Sequence, residues 1–488
     1  MAQDISLLGA VYSAVPSVLL PKQGGGTAQF DDTTDADATA SDILSGKTAY
    51  VNGVKITGTG GGGSANIQAL SITQNGTYTA SGGVDGYSPV TVNVSGSSGS
   101  DKEDDDVVFL DYDGTIVYSY TATEFASLTE MPANPSHIGL TAQGWNWTLT
   151  DAKAYVTSYG AIDIGQMYKT NDGTSRFYME LPDGIVDIAI RAKCSVAGGA
   201  EIDWGDGSTR ISLTTTVTTH THTYSASGNY VIKIYRTSGT VDFTSMSSTN
   251  GIFGGAGYKQ RGGAFCKRIE FDSNVTFSNY AFNVMYGLET ITIPKEVTSL
   301  GNYFMADARS LKALVIPSSV TTIGSSSLTY NQNLEHISFP KGITSSVWPS
   351  NPNSLRRLCI PPSTAQTSWS TNSYYFLLRF VLPEGYTTLS SSNVLGSLFS
   401  LKKLTIPSTV TSMNASYVFS NDYSLKEIHM KPTSPPTLGT NMLMNVSTTT
   451  NPDLKIYVPY SADHSILEAY KTASNWSGRA SIIVEEPQ

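Results

Sequence analysis

Across the C-terminal half of the chain, apolar residues return in one phrase: a leucine, two variable positions, two apolar residues flanking a third, and a proline. It reads LETITIP from Leu288, LKALVIP from Leu311, LEHISFP from Leu334, LRRLCIP from Leu355, LLRFVLP from Leu377 and LKKLTIP from Leu401. LKEIHMK at Leu425 is a degenerate copy, and CKRIEFD at Cys266 is an atypical first one. Successive starts lie 21 to 24 residues apart, a period of about 23. Alternation inside each phrase predicts a short strand with residues such as Ile291 and Ile293 pointing inward, ended by Pro294. Val297 and Leu300 then close the coil on its far side. A single turn cannot bury such a face, but stacked turns can, so the period predicts a leucine-rich-repeat solenoid of parallel strands.

Upstream the pattern is different. Tyr50 and Val51, then Asn52-Gly53, then Val54 and Ile56 form a hairpin signature, since Asn-Gly supplies the positive φ angles of a type I′ turn. A second small unit reuses the device at Asn75-Gly76 and ends in the alternating Val90, Val92 and Val94. Glycine runs at Gly24–Gly26 and Gly60–Gly63 act as joints. Between about 107 and 182 an α+β unit is expected: strands VVFLDY and TIVYSY about Asp113-Gly114, then a helix with Asp151 as N-cap and Gly160 as C-cap. Trp145 and Trp147 are read as core residues. The acid run DKEDDD after a Gly/Ser stretch is read as a solvated spacer. The expected fold class is mainly β and multidomain: a segment 1–64 with a hairpin, a small β module over 65–100, an α+β module over 101–182, an immunoglobulin-like β-sandwich over 183–250, and the solenoid over 251–488 with a C-terminal cap.

Composition supports the β reading, with 44 Gly, 27 Tyr and only 14% charged residues in 488. A formal charge of −10 and a pI near 5.1 argue against nonspecific nucleic-acid binding. Cys194, Cys266 and Cys359 form no C-x-x-C pair, so neither a disulfide framework nor a structural zinc site is predicted. The N-terminal residues lack a basic n-region and are broken by Pro16, so no signal peptide is expected, and no apolar run reaches the length of a membrane-spanning helix.

The sharpest chemical motif is DYDGT. It resembles the nucleophile strand of haloacid-dehalogenase phosphatases, which would make Asp111 the nucleophile and Asp113 the general acid. That fold needs a doubly wound parallel sheet and a later acidic pair, for which the following 70 or so residues offer no room, so both aspartates are read as turn residues. The chain has no G-x-S-x-G elbow and no Gly-Lys-Ser/Thr phosphate cradle, and no enzyme activity or cofactor is expected. His220 and His222 in THTHT share one face of a strand and are the candidates for a metal, against a reading in which His220 lies on the surface.

The outward positions of the solenoid strands form the candidate binding surface. The residues singled out are His336, Arg357, Arg379, Lys403, Thr405, Glu427 and His429, where cations concentrate in a sheet face of an otherwise acidic protein.

Three resemblances extend this reading. AEIDWGDGST followed by HTYSASGNYVIKIY resembles the polycystic-kidney-disease repeat, an immunoglobulin-like sandwich, at Trp204, Gly205, Asp206, Gly207, His222, Tyr224, Gly228, Tyr230 and Ile232. The P-S-x-V-T-x-I continuation of the repeats resembles the bacterial surface-antigen, BspA-type, leucine-rich repeats. Phrases across the first 180 residues, among them DISLLGAVYSAVP and SITQNGTYTASGG, resemble structural proteins of tailed phages. That likeness implies a virion protein made in the host cytoplasm, anchored to other virion proteins through its N-terminus and binding a host surface glycan or protein through its C-terminus. It further implies a homo-oligomer, a trimer by analogy with fibres, acting as a tail-fibre adhesin. A capsid-attached head fibre that binds glycans is the alternative, and a phosphatase or depolymerase is a distant second.

Overall fold

The computed structural model describes residues 102–487 apart from 185, 246–250, 254–261, 345–348, 350–352, 362–375, 383, 390–397, 415–423 and 440–452, and, in the first 94 residues, six strands together with positions 39 and 47. The chain divides into two compact units, 1–94 and 95–488.

In the first unit β1 (Ser17–Pro21) pairs antiparallel with β2 (Thr27–Asp31), and β3 (Thr48–Val51) with β4 (Val54–Thr57). Val51 faces Val54 across the ladder, as the Asn-Gly hairpin requires, although the two turn residues lie outside the described residues. The second hairpin differs from expectation. Gly76 opens β5 (Gly76–Tyr78), which pairs with β6 (Val90–Val92), so the connection is the long stretch between them and not a two-residue turn at Asn75-Gly76. Val94 lies outside the described residues.

The second unit begins with the α+β module. β7 (Val107–Leu110) and β8 (Ile116–Tyr120) form the predicted hairpin, followed by α1 (Ala122–Ser127), β9 (Leu140–Trp145), α2 (Leu149–Tyr159) and β10 (Ile162–Thr170). The sheet order is β8-β7-β10-β9, with β7 and β10 parallel. α1 starts with a capping box in which the Thr121 hydroxyl accepts the Glu124 N–H while Glu124 takes the Thr121 N–H. For α2 the cap is Thr148, whose hydroxyl accepts the Asp151 N–H; Asp151, expected as the cap, sits in the first turn. Gly160 closes the helix at φ 82°, as predicted. Trp145 and Trp147 are buried with Phe109, Phe125 and Tyr155 in the module's core.

β11 (Thr174–Leu181) falls within the range assigned to the module yet pairs over its whole length with β16 (Gly228–Arg236). It therefore packs with β12 (Val186–Cys194), β13 (Ala200–Asp203), β14 (Ile211–Ser212), β15 (Thr218–Tyr224) and β17 (Val241–Phe243). The two sheets, β14-β13-β16-β11 and β15-β12-β17, enclose one core in which Phe177 meets Phe243 edge-to-face. Among the described residues this sandwich is paired directly with the repeats. β18 (Cys266–Glu270), after the one-turn α3 (Gly262–Phe265), pairs with β11, and β19 (Val275–Phe277) pairs with β17, so both sheets run on into the solenoid.

The solenoid continues through β20 (Thr290–Thr292), β21 (Ser299–Leu300), β22 (Ala313–Val315), β23 (Thr322–Ile323), β24 (His336–Ser338), β25 (Arg357–Cys359), β26 (Arg379–Val381), β27 (Lys403–Ile406), β28 (Ser412–Met413), β29 (Glu427–Met430), β30 (Thr437–Leu438), β31 (Lys455–Val458) and β32 (Ile483–Glu485). The strands starting each repeat are parallel and linked turn to turn by backbone bonds such as Glu335 N–H to Lys312 O (2.8 Å), Arg356 N–H to Glu335 O (3.0 Å) and Lys426 N–H to Lys402 O (2.8 Å). β21 with β23, and β28 with β30, form the second parallel row. Leu288, Leu311, Leu334, Leu355, Leu377, Leu401 and Leu425 are all buried, as are Ile291, Ile293, Val297 and Leu300, so the repeat pattern reports the core correctly. α4 (Ser465–Thr472) closes the end with Tyr470 and Trp476 in contact, the expected cap.

Candidate functional site

The outward face of the solenoid's main sheet carries the residues singled out from the sequence, and most of that face is covered. The α+β module lies on it. At Gly165 of β10 the backbone approaches so closely that a Cβ there would sit 2.5 and 2.6 Å from the Val315 methyls and 3.0 Å from the Ser338 Cβ. A strand glycine with no side chain is what permits this approach. Asn146 donates to Ile316 O (2.9 Å) and to Ser338 Oγ (2.9 Å), Trp147 to Phe339 O (2.7 Å) and Tyr155 to Ile360 O (3.0 Å). Cys359 and Val381, outward residues of β25 and β26, are buried in the module's own core.

The cations of this face meet the acid run. Arg357 is 0% exposed; it donates through Nε to Asp163 (2.7 Å) and through its other nitrogens to the carbonyls of Glu103 (2.7 Å), Asp105 (2.8 Å) and Asp106 (3.1 Å). Arg379 pairs with Asp106 (2.6 Å) and donates to Asp104 O (2.6 Å), Lys403 reaches Asp106 (3.1 Å), Lys402 reaches Asp104 (2.5 Å), and Arg356 pairs with Glu103. The segment read as a solvated spacer is thus the ionic counterpart of the repeats. Burial pushes the Asp106 carboxyl up, but Arg379, Lys403 and the Ala122 N–H outweigh it and hold the group well below the usual carboxylate range. Burial drives the His336 ring down to about 4, so it is neutral under the module, 3.9 Å from Glu103.

The expected solvent-facing surface is therefore corrected residue by residue. His336, Arg357, Arg379 and Thr405 are buried, because a second layer from the same chain covers them. Lys403, Glu427 and His429 are only half-buried. His429 stacks on Tyr457 (4.7 Å, 10°) and bonds Glu427 (2.9 Å) and Glu486 (2.8 Å), while Lys403 also pairs with Glu427 (3.3 Å). The His429 bond, helped by Lys403, lowers the Glu427 carboxyl to about 2 despite burial. A cleft of about 360 Å³ opens here between α1, α2 and the last turns, lined by Lys153, Thr157, Lys403, His429, Lys431 and Glu486 among others. Of the predicted surface residues, Lys403 and His429 line this cleft.

Sequence reasoning missed Glu103, Asp104, Asp106 and Asp163. The available signal was complementarity: four acids in a row upstream and basic residues at one repeat position, Arg357, Arg379 and Lys403, downstream.

The remaining candidates are absorbed by structure. Asp111 accepts the Tyr112 N–H (2.8 Å) and pairs with His137 (2.8 Å); Asp113 accepts the Thr115 N–H (2.9 Å) inside the hairpin turn. His220 is 8% exposed, not on the surface as expected, and burial lowers its pKa. His222 stacks on Trp204 and bonds Asp206 (2.6 Å). Among the described residues no group of three or more His, Cys, Asp and Glu is placed to hold a metal ion, and no helix is long and apolar enough to cross a membrane.

No curated protein matches the chain. Similar solved structures include a leucine-rich repeat protein from Bacteroides ovatus, 18% identical, with a TM-score of 0.27 over 45% of this chain and 60% of that one. The pneumococcal vaccine antigen PcpA is 22% identical, with a TM-score of 0.21 over 40% of each chain. A leucine rich cell surface protein from Faecalibacterium prausnitzii is 16% identical, with a TM-score of 0.16 over 43% of this chain and 76% of that one. The chain thus spans less than two thirds of the first two, and likenesses this slight carry no functional weight. The sequence match is firmer: residues 263–364 and 371–455 match six copies of the BspA type leucine rich repeat region.

Proposed function

We propose that the chain is a structural adhesin of a tailed phage, seated on the particle through its N-terminal unit and attaching to the bacterial surface through the solenoid. The reading rests on the phage-like phrases of the first 180 residues together with the six repeats. Its binding region is the open end of the main sheet. The observation that carries this choice is the contrast in exposure along the outward face of the repeat strands: Arg357 is sealed beneath the module, whereas Lys403 and His429 line a cleft. Attachment requires no chemistry, since several weak contacts on one particle add through effective concentration.

The test uses the whole chain, because a fragment beginning at the solenoid would expose Arg357, Cys359 and Val381. Labelled protein is added to host cells, and a Lys403→Ala/His429→Ala variant is compared with the parent after both are checked for the same thermal midpoint. Loss of cell binding in the variant is expected; equal binding would remove the cleft from the reading. Electron microscopy of phage particles with antibody against the chain tests the virion role. Label on the tail is expected, label on the capsid would substitute the head-fibre reading, and no label would overturn both.

A further inference from the structure

The sandwich has four sheet edges, and the structure uses them unequally. Two are carried on into the solenoid by β18 and β19. A third, β14, is only two residues long and is flanked by Arg210, which pairs with Asp203. The fourth is β15, seven residues long, which among the described residues pairs with β12 alone. It has none of the protections common on edges: no Pro, no Lys, no charged residue and no bulge in its ladder.

The direction of its backbone groups follows from β12. Arg191 donates its N–H to Ile252 O (3.1 Å) and accepts from Thr244 N–H (3.2 Å), so its polar groups point to the β17 side, and those of Ile188 and Ile190 point to β15. With Ile190 opposite His220 and Ile188 opposite His222, the N–H and C=O groups of His220 and His222 are used by β12. Those of Thr219, Thr221 and Thr223 therefore point outward at the open edge. Their side chains are exposed on one face, while His220 and Tyr224 are buried on the other.

We infer that this edge pairs with the same edge of a second copy of the chain, antiparallel and centred on Thr221. The sequence Thr219-His220-Thr221-His222-Thr223 reads the same in both directions. An antiparallel two-fold maps such a strand onto itself: Thr221 faces Thr221, and Thr219 faces Thr223 on both sides. The residues brought opposite are those with outward backbone groups, so the register forms on the order of six hydrogen bonds and leaves no outward group of these three threonines unused. The exposed faces join in a threonine ladder, a favourable cross-strand pairing with no charge to bury. The result is one continuous sheet across the two copies. It also presents two solenoids from one particle site, beyond what the proposed adhesin role itself requires.

The test is self-association of the whole chain over a dilution series, measured by light scattering. A dimer is expected. Thr221→Pro removes one outward N–H per copy and leaves the β12 ladder intact, because proline is tolerated where the N–H faces outward. It should weaken the dimer by about tenfold or more at an unchanged thermal midpoint; if the midpoint falls, Thr221→Lys, which keeps every ladder bond, takes its place. Thr221→Cys should cross-link copies under mild oxidation, since facing residues in a bonded pair lie about 5.5 Å apart, within disulfide range. Thr223→Cys, facing Thr219, should not. A monomer at every concentration, an assembly of any size that neither Thr221 variant weakens, or equal cross-linking by the two cysteine variants would each overturn the inference.

Discussion

Arg357 and His429 occupy the same face of the same kind of strand, yet one is sealed and the other borders a cleft. Arg357 has a carboxylate and three carbonyls around it at 2.7 to 3.1 Å; His429 has an aromatic face and two half-buried glutamates. The repeat fixes where a side chain points, and the rest of the chain decides what it meets. A solenoid face therefore cannot be equated with a recognition surface until the other modules have been accounted for.

The widest separation between the two regions is expected on removing one side chain from each. Arg357→Ala leaves Asp163 buried without its partner and should cost about 3–5 kcal/mol, whereas His429→Ala should cost no more than roughly 1 kcal/mol. Chemical denaturation of the two variants checks this, and equal losses would erase the contrast. Next in size is Gly165→Ala. A methyl there meets the Val315 methyls at about 2.5 Å, so overpacking of about 1–3 kcal/mol is expected, with the loss read as a lower thermal midpoint. If the midpoint holds, the module does not rest on β22 and β24 as described.

The covered region should also respond to acid. The His336 pKa is lowered in the folded chain from 6.5 to about 4, so the unfolded chain binds the proton first. Its contribution is complete above pH 6.5 and is lost as pH falls toward 4. Asp106, held below its ordinary 3.8, adds a further loss as pH drops through and below that value. Melting midpoints of the parent and of His336→Asn should diverge between pH 6.5 and 4 and run parallel above and below that window. The smallest effect belongs to Lys341→Ala: its pair with Asp151 (2.5 Å) lies at the module's exposed rim and should contribute less than about 1 kcal/mol, a control that salt should mimic.

What was legible in the sequence was local. The strands and buried leucines of the solenoid repeat every 23 or so residues, and the β7–β8 turn is written in Asp113-Gly114. The docking of the module was not legible because its partners are distant: Glu103 and Arg356 are 253 residues apart, and no period connects an acid run to a basic row. The glycine that admits the contact is one residue in an otherwise ordinary strand. Asp151 was misread as a cap because Thr148, three residues earlier, competes for the same role and wins by bonding the Asp151 N–H itself. In the candidate site, the cations were found by their repeat position, whereas their burial depended on a layer that the repeats do not encode.

The seamless passage of β11 into β18 and β20 has a mechanical meaning. If the repeats are pulled, a flexible linker between sandwich and repeats would absorb the tension by stretching. Here the load crosses from one part to the other through backbone hydrogen bonds of a shared sheet and through the aromatic cluster of Phe243, Phe271, Phe277 and Phe282. Tension on the repeats therefore reaches the sandwich as shear along the paired strands β11, β18 and β20.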